Sequence, residues 1–462
     1  MPRVLTVVPS LLLIASGCCR AAEDGTVPVP RAAPTETVTV QGDAETGYLA
    51  GDAQTATRTD TPVAATPLSI VSVPKQVIKD QGDIRLKDAV RNVSGVAPSK
   101  TEGNGIQFET AYIRGFSQLA YVDGVQFYTM PTVDLAGVER VDVLKGPSSS
   151  MYGGMEPGGI INLVPKVAEF TAHSSVSASY GSEDFKRAEV ESTGPIGKEF
   201  AYGIAASFQD NDSYRDFLHQ RSVFVAPSLA WAPSERTRIT TWVWYQHLER
   251  PQDQGVVFTF QGDPVGPISR NLAGPNNENT QYIDDTVYNV QIEHDITPNL
   301  KARGRFLAHN FDGYVDAIRW NNVTAANRIA PYYDNSNFND WQYDVIGDLD
   351  YRTEMGQTRH EFLAGVELNR NDYFYNRKTD TALPTIDILN PVYPTGPYPT
   401  VNGVAEQRTL TNTVAGYVQD QMDALENRLH VLVGGRIDRV AQHFTAFQTG
   451  NFFEQQLSLI HI

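Results

Sequence analysis

Three groups of residues are of types that could do chemistry. Ser148-Ser149-Ser150 follows Lys145-Gly146-Pro147, Cys18 adjoins Cys19, and five of the nine histidines, His219, His247, His294, His309 and His360, are spread along the chain beyond residue 200. A serine nucleophile on a sharp strand-to-helix turn needs G-x-S-x-G, and Ser150 stands where the second glycine belongs. A phosphate loop needs G-x-x-x-x-G-K-S/T, which cannot be drawn around Lys145. The histidines fall on different expected elements with no metal-ligand spacing between any pair, so no protein-held iron is expected. If a leader is removed after Ala21, both cysteines go with it, and neither a disulfide framework nor thiolate chemistry is left. These residues therefore point away from an enzyme and from any resident cofactor.

The elements that would position the serines are more informative. Residues 139–166 read ERVDVLKGPSSSMYGGMEPGGIINLVPK, with β-branched runs at both ends: Val141 and Val143, then Ile160, Ile161 and Val164. That is the pattern of strand, tight elbow, strand. Gly153-Gly154 and Gly158-Gly159 supply positive φ or close approach of another chain, and Pro157 presets the turn before the second pair.

This stretch resembles the end of the plug domain of TonB-dependent outer-membrane receptors, in their ferric-siderophore branch. The resemblance runs upstream, in the family's order, through Thr66-Pro67-Leu68-Ser69-Ile70, Leu86-Lys87-Asp88-Ala89-Val90, Val93-Ser94-Gly95-Val96, Ile113-Arg114-Gly115-Phe116 and Tyr121-Val122-Asp123-Gly124. It covers residues 61–166, the expected plug domain. It implies an importer in the outer membrane of a Gram-negative bacterium, with plug and TonB box toward the periplasm. The implied partners are outer-membrane lipid, the TonB energy-transducing protein with its inner-membrane companions, and a ferric siderophore that brings its iron already chelated. A related receptor for a vitamin, haem or a carbohydrate would keep the same plug and stays open.

The N-terminus fits export. Arg3 precedes an apolar run over 4–14 that is too short to span a bilayer as a helix, which needs about 20 apolar residues; residues 1–21 read as a signal peptide, with lipidation of Cys18 or Cys19 left open. Residues 22–60 have a linker composition that disfavours a packed core. One β-prone segment stands inside, Glu36-Thr37-Val38-Thr39-Val40, which resembles the TonB box and could add itself as a strand to a partner's sheet edge. A chance pentapeptide is the alternative. The short reach between leader and box implies transport without the family's additional signalling domain.

Beyond Lys166 the pattern alternates. In 341–351 the odd positions are mostly aromatic or aliphatic and the even ones mostly polar; 202–209 and 360–369 repeat two such faces. A soluble sandwich alternates too, but short turns at 195–198 and 232–235, long loops expected at 251–281, 315–337 and 376–406, and aromatics near strand ends favour a membrane barrel. The net charge of −17 argues against nucleic acid as a partner. The expected fold is mainly β: an N-terminal α/β plug domain, then an incomplete transmembrane antiparallel barrel over 167–456 with about 11 strands from Ser174 to His443, against about 22 in a plugged transporter, and a further strand beginning at Phe444. The hexapeptide 457–462 resembles a translated sequencing adapter, so it is expected to be a non-native tail on a truncated gene fragment.

The resemblance also implies site residues. Arg114 is similar to the arginine that latches plug to wall, and Lys145 occupies the place of a second arginine, keeping the charge without the bidentate fork. The answering glutamates are expected in later strands, with pairing of Arg114 to Glu139 or Asp123 inside the plug as the alternative. Ligand contacts are expected from apex loops: Gln107 and Phe108, then Phe127, Tyr128 and Met130, then Met155, with plug packing the alternative for each. Such aromatic and amide groups suit a neutral or anionic chelate face.

Overall fold

The computed structural model describes residues 47–48, 54–103, 106–118, 120–130, 132–146, 149–154, 157–258, 263–275, 279–324, 327–380, 383–395, 405–447 and 451–458. The leader, the 36–40 segment and Met155 lie outside the described residues.

The first part of the chain holds eight strands, β1 (Ser69–Pro74), β2 (Val96–Gly103), β3 (Ile106–Ile113), β4 (Phe116–Gln118), β5 (Ala120–Val122), β6 (Val125–Gln126), β7 (Val138–Lys145) and β8 (Gly159–Pro165). Four short helices accompany them, α1 (Gln54–Thr57), α2 (Lys75–Gln81), α3 (Leu86–Ala89) and α4 (Ser149–Tyr152). Strands β1, β7, β8, β5 and β6 form one sheet in that order, while β2, β3 and β4 form a second. The β-branched runs noted at the ends of 139–166 become β7 and β8, paired antiparallel and fully buried at Val141, Val143, Ile161 and Leu163. The elbow between them contains α4, which the serine and glycine content did not announce. Gly159, at φ +132°, lies where any Cβ would be 1.9 Å from the Leu144 carbonyl oxygen, so the pairing of β7 with β8 requires glycine there.

The rest of the chain is one antiparallel meander. Its strands are β9 (His173–Tyr180), β10 (Lys186–Ile196), β11 (Phe200–Asp212), β12 (His219–Ser234), β13 (Thr237–Arg250), β14 (Asn279–Thr297), β15 (Leu300–Thr324), β16 (Arg328–Met355), β17 (Thr358–Asp380), β19 (Ala405–Ala424), β20 (Leu429–Ala446) and β21 (Asn451–Ser458), with the two-residue β18 (Ile386–Asp387) paired to β16. Neighbours in space follow chain order throughout, and among the described residues β9 and β21 each pair on one side only, so the wall is open. Eleven long strands precede residue 447, as the alternation indicates; the twelfth starts at Asn451 rather than Phe444.

Two expected boundaries move. Leu457 and Ser458, assigned by sequence to the tail, pair with Val440 and Arg439 as the end of β21. Residues 315–337 are not a loop: β15 and β16 pair continuously from Ala317↔Asp334 up to Thr324↔Arg328, apart from one register shift, so this is the projecting end of a hairpin. Ile318, Ile329, Asp334 and Ser336 are buried in it, so its polar content does not mark irregular backbone.

The two faces of the wall are inverted relative to a soluble sheet. On β16, Trp341, Tyr343, Val345, Leu349 and Tyr351 are exposed outward, while Gln342, Asp344 and Asp350 are buried against the interior. Val366 and Leu368 on β17, and Val414 and Val418 on β19, continue the apolar exterior. Apolar out and polar in is what a wall between lipid and a filled lumen requires. The apolar core of the first domain runs into the inner face of this wall at Phe224, Trp242, Trp244 and Leu307, so the domain sits inside the curve of the sheet.

Candidate functional site

The apex begins with the segment after β6. Gln342 of the wall donates to the Gln126 carbonyl at 2.7 Å, and the Thr129 hydroxyl donates to Asp340 at 2.5 Å, so the loop between is pinned at both ends. Phe127 is 1% exposed and stacked on His309, ring centroids 4.2 Å apart, and Met130 is 3% exposed in the domain core. Their side chains are consumed by packing, which removes both from the ligand contacts expected of them. Tyr128 is different: 43% of it is exposed. Burial there, and after it the carboxylates of Asp344, Glu367, Asp340 and Asp438, push its phenol up to about 12, so it is neutral at physiological pH. Gln107 and Phe108 lie on β3, opposite Glu102 and Thr101, with side chains outside the described set.

The two expected latch cations are neighbours. A Cβ on Gly146 would lie 3.5 Å from an Arg114 guanidinium nitrogen, and Lys145 donates to the Ser94 hydroxyl at 3.1 Å. Burial, and then the Arg114 charge, hold the Lys145 amine below its ordinary value. Neither makes an ion pair with a carboxylate among the described residues. Pairing within the plug is ruled out by competing partners: Glu139 binds Lys75 at 2.8 Å, and Asp123 binds Arg305 of the wall at 3.2 Å. Glu139 is therefore a packing anchor for α2, not part of a latch with Arg114.

The contacts that do hold the domain to the wall were not anticipated. Asp134, 5% exposed, receives both terminal nitrogens of Arg187 on β10 at 2.7 Å each, the Ser207 hydroxyl at 2.7 Å and the Ala136 amide at 2.9 Å. Burial alone would raise its pKa; the Arg187 fork, with the Ala136 and Ser207 donors, instead holds it below the ordinary carboxylate value. The polarity is opposite to the expected one, with the carboxylate on the plug and the arginine on the wall.

A second anchor is built by α1 and the residues after it. The Arg58 guanidinium lies between the rings of Tyr152 on α4 and Tyr417 on β19, 5.2 and 4.8 Å from their centroids, and pairs with Glu367 on β17 at 3.3 Å. Arg436 on β20 shares Glu367 at 3.0 Å, pairs with Asp438 at 2.8 Å and donates to the Met151 carbonyl at 3.0 Å. Gly153 has φ +73°, and a Cβ there would come within 3.1 Å of Arg436, so glycine lets the elbow sit against this charge. Around Arg58, Gln419 donates to the Thr57 carbonyl at 3.0 Å, Gln421 to the Thr59 hydroxyl at 2.6 Å, and Tyr152 to the Thr55 carbonyl at 2.5 Å. Residues 54–61 thus form a strap held at once by wall and elbow. The sequence carried a partial signal: Glu367 and Gln419 stand at inward parity on their strands, but parity does not reveal a partner.

A small polar cavity of about 80 Å³ lies beside the strap, lined by Arg58, Asp123, Arg140, Arg303, Arg305 and Asp348 among others. Among the described residues no group of three or more His, Cys, Asp or Glu side chains could hold a metal ion.

Twelve long strands with an apolar exterior, curved around a domain that fills their polar side, define the class of plugged outer-membrane receptors. The chain belongs to the TonB-dependent receptor family: the TonB-dependent receptor plug domain matches residues 62–160, and the TonB-dependent receptor-like β-barrel matches 227–458. It is 29% identical over 438 residues to the metal-pseudopaline receptor CntO of Pseudomonas aeruginosa, covering 90% of this chain and 60% of that one. It is 28% identical over 410 residues to the ferrioxamine B receptor of Salmonella typhimurium, covering 84% and 57% respectively. The crystal structure of the siderophore receptor PiuA from Acinetobacter baumannii superposes with a TM-score of 0.79 at 18% identity, covering 89% of this chain and 63% of that one. The chain thus spans about 60% of the length of the curated relatives it matches. Fold and relatives are those of receptors, not of enzymes.

Proposed function

We propose that this chain carries the plug and the adjoining part of the wall of an energy-coupled importer of ferric siderophores in the outer membrane of a Gram-negative bacterium. One observation supports this above the others: the plug fills the lumen side of the wall and is tied to it by buried charges, so nothing large passes until the plug moves. The TonB protein would act through 36–40, toward the periplasm, and the strap at 54–61 is the first described segment anchored to the wall on that path. Iron would arrive within its chelate, as the ligand named for the ferrioxamine B receptor among the relatives suggests. Arg114 and Lys145, adjacent and without a carboxylate partner there, suit the latch role, with the answering acid supplied by other residues of the wall.

Growth rescue under iron limitation, using the complete receptor gene in a host lacking its own siderophore receptors and a panel of ferric siderophores, tests the reading. Rescue by at least one chelate, abolished when 36–40 is deleted, is expected. Rescue that survives the deletion would overturn energy coupling. Uptake of a vitamin, haem or a carbohydrate, with no response to any siderophore, would replace the ligand class. Arg114→Ala is expected to lower energised uptake while leaving chelate binding near its original level; unchanged uptake would remove the latch role.

A further inference from the structure

The exterior of the wall carries positive charge that the protein does not answer. On β17, β19 and β20 the outward side chains include the exposed apolar run of Val366, Leu368, Val414, Val418 and Ile437. Toward the short turn at 356–357 this run ends at the His360–Asp420 pair, 3.0 Å apart. Toward the long connections, Arg370 follows Leu368 on the same face of β17, Arg439 follows Ile437 on β20, and Arg408 has outward parity on β19; all three are exposed. In the register Arg439 faces Val414, which faces Leu368, and Arg370 lies one outward row higher, opposite Asn412. Two strand spacings of about 4.8 Å and one outward step of about 7 Å separate their backbones. Two arginine side chains can close that gap on a single small anion.

Short turns of a membrane barrel face the periplasm, so these arginines stand on the extracellular side of the apolar run. The rings of β16 give their height. Trp341 and Tyr343, stacked with centroids 5.8 Å apart and exposed outward, are paired directly to Asp372 and Arg370. Outward aromatics of this kind form the girdle where a barrel meets the membrane interface. Arg370 and Arg439 therefore sit at the level of the lipid headgroups rather than out among the connections.

Their charge is uncommitted. Arg408 is held by a fork to Asp372 at 2.7 and 2.5 Å, which occupies the carboxylate next to Arg370 on its face. Among the described residues no ion pair or side-chain hydrogen bond engages Arg370 or Arg439. The outward acids Asp284 and Asp312 stand beyond β16, on β14 and β15, and Asp284 is bound to Tyr245 and His247 at 2.9 Å each.

We propose that Arg370 and Arg439 form a docking site for the phosphate of an outer-leaflet lipid, whose acyl chains lie on the apolar exterior beneath. This rests on placement in the outer membrane and not on the identity of the chelate. The guanidinium fork matches phosphate oxygens in pairs, and attraction to an anionic headgroup acts within a Debye length of the surface. A soluble phosphate would use the charges alone; a lipid uses the charges and the hydrocarbon face below them.

Native mass spectrometry of the complete receptor in detergent, with diphosphoryl lipid A and its dephosphorylated form as probes, tests the site. The phosphorylated form is expected to bind about tenfold more tightly. Arg370→Gln and Arg439→Gln should each lower that ratio, and the double variant should bring it close to equality at unchanged heat-modifiable mobility. Equal binding of the two lipids by the original receptor would overturn the phosphate site. A ratio unchanged in the double variant would overturn its assignment to these arginines. Displacement of the lipid by an equal concentration of inorganic phosphate would overturn a lipid as the occupant. Density-gradient fractionation of the host separates failure of the underlying reading: a receptor found with the inner membrane overturns the placement itself, whatever lipid it binds in detergent.

Discussion

Asp134 shows how much a single buried charge decides in this molecule. It sits among apolar neighbours, accepts from four donors and is neutralised by one arginine across the domain boundary. Removing that arginine leaves an uncompensated carboxylate in a dry site, which costs about 3–5 kcal/mol. Arg187→Ala is therefore expected to loosen the plug without unfolding the wall, seen as faster protease cleavage of the plug in isolated outer membranes at unchanged heat-modifiable mobility. The same residue sets a pH dependence. Its pKa is lower in the folded protein than in the unfolded chain, so its contribution is complete above the ordinary aspartate value of about 4 and is lost as pH falls below it through the folded value. Plug cleavage should rise as pH is lowered from about 4 toward 3, and this rise should be much smaller in Asp134→Asn. Nothing in the sequence around Asp134 announced it beyond a lone acid in the apolar stretch from Val133 to Val138. Of the aromatic and apolar residues singled out after the Asp123-Gly124 turn, Tyr128 is the exposed one, while Phe127 and Met130 are buried.

Among the elements, strands were the most legible and their ends the least. Period-two alternation marked the eleven strands before residue 447 because lipid on one side and a polar lumen on the other impose opposite demands on successive residues. At the tip formed by β15 and β16, polar Asp334 and Ser336 are buried as fully as Ile318 and Ile329, so the alternation breaks there and the segment read as a loop. The outer connections at 251–281 and 376–406 are largely irregular, as expected, but their apolar residues pack together. Val257, Leu272, Ile329, Ile386 and Ile388, drawn from two connections and the hairpin tip, make a small apolar core of their own. Arg215 staples it, with a fork to Asp253 at 2.9 and 2.8 Å and donation to the carbonyls of Ile268, Gly255 and Arg270 at 2.5 to 3.0 Å. Such a cap is a preformed rim. Arg215→Ala should release it locally, at a cost of about 2–4 kcal/mol for several charge-assisted hydrogen bonds, and expose 251–275 to protease added to intact cells. Unchanged cleavage would show that the apolar core alone holds the rim.

At the scale of the whole molecule, the strap at 54–61 links three parts that the sequence presents far apart: the tether, the glycine elbow and the wall. Arg58 is the joint, since its guanidinium touches Tyr152 of the elbow, Tyr417 of the wall and the carboxylate of Glu367, which Arg436 shares while holding the Met151 carbonyl. Because the charges of Glu367 and Asp438 also act on the Tyr128 phenol, strap and apex draw on one set of charges. Two sites that bias a common element are coupled reciprocally: whatever redistributes those charges at the apex alters how firmly the strap is held, and release of the strap alters the apex. Arg58→Ala deletes the joint and leaves Glu367 with Arg436 alone, so the strap should become protease-accessible from the periplasmic side without ligand, and chelate affinity should fall by a few fold as the elbow loosens. Tyr152→Phe keeps the ring against Arg58 but loses the hydroxyl donated to Thr55, a change of about 1 kcal/mol, and should show the same two effects more weakly and in the same proportion. If Arg58→Ala frees the strap while affinity stays at its original value, then strap and apex are held independently, and the shared carboxylates serve packing rather than communication.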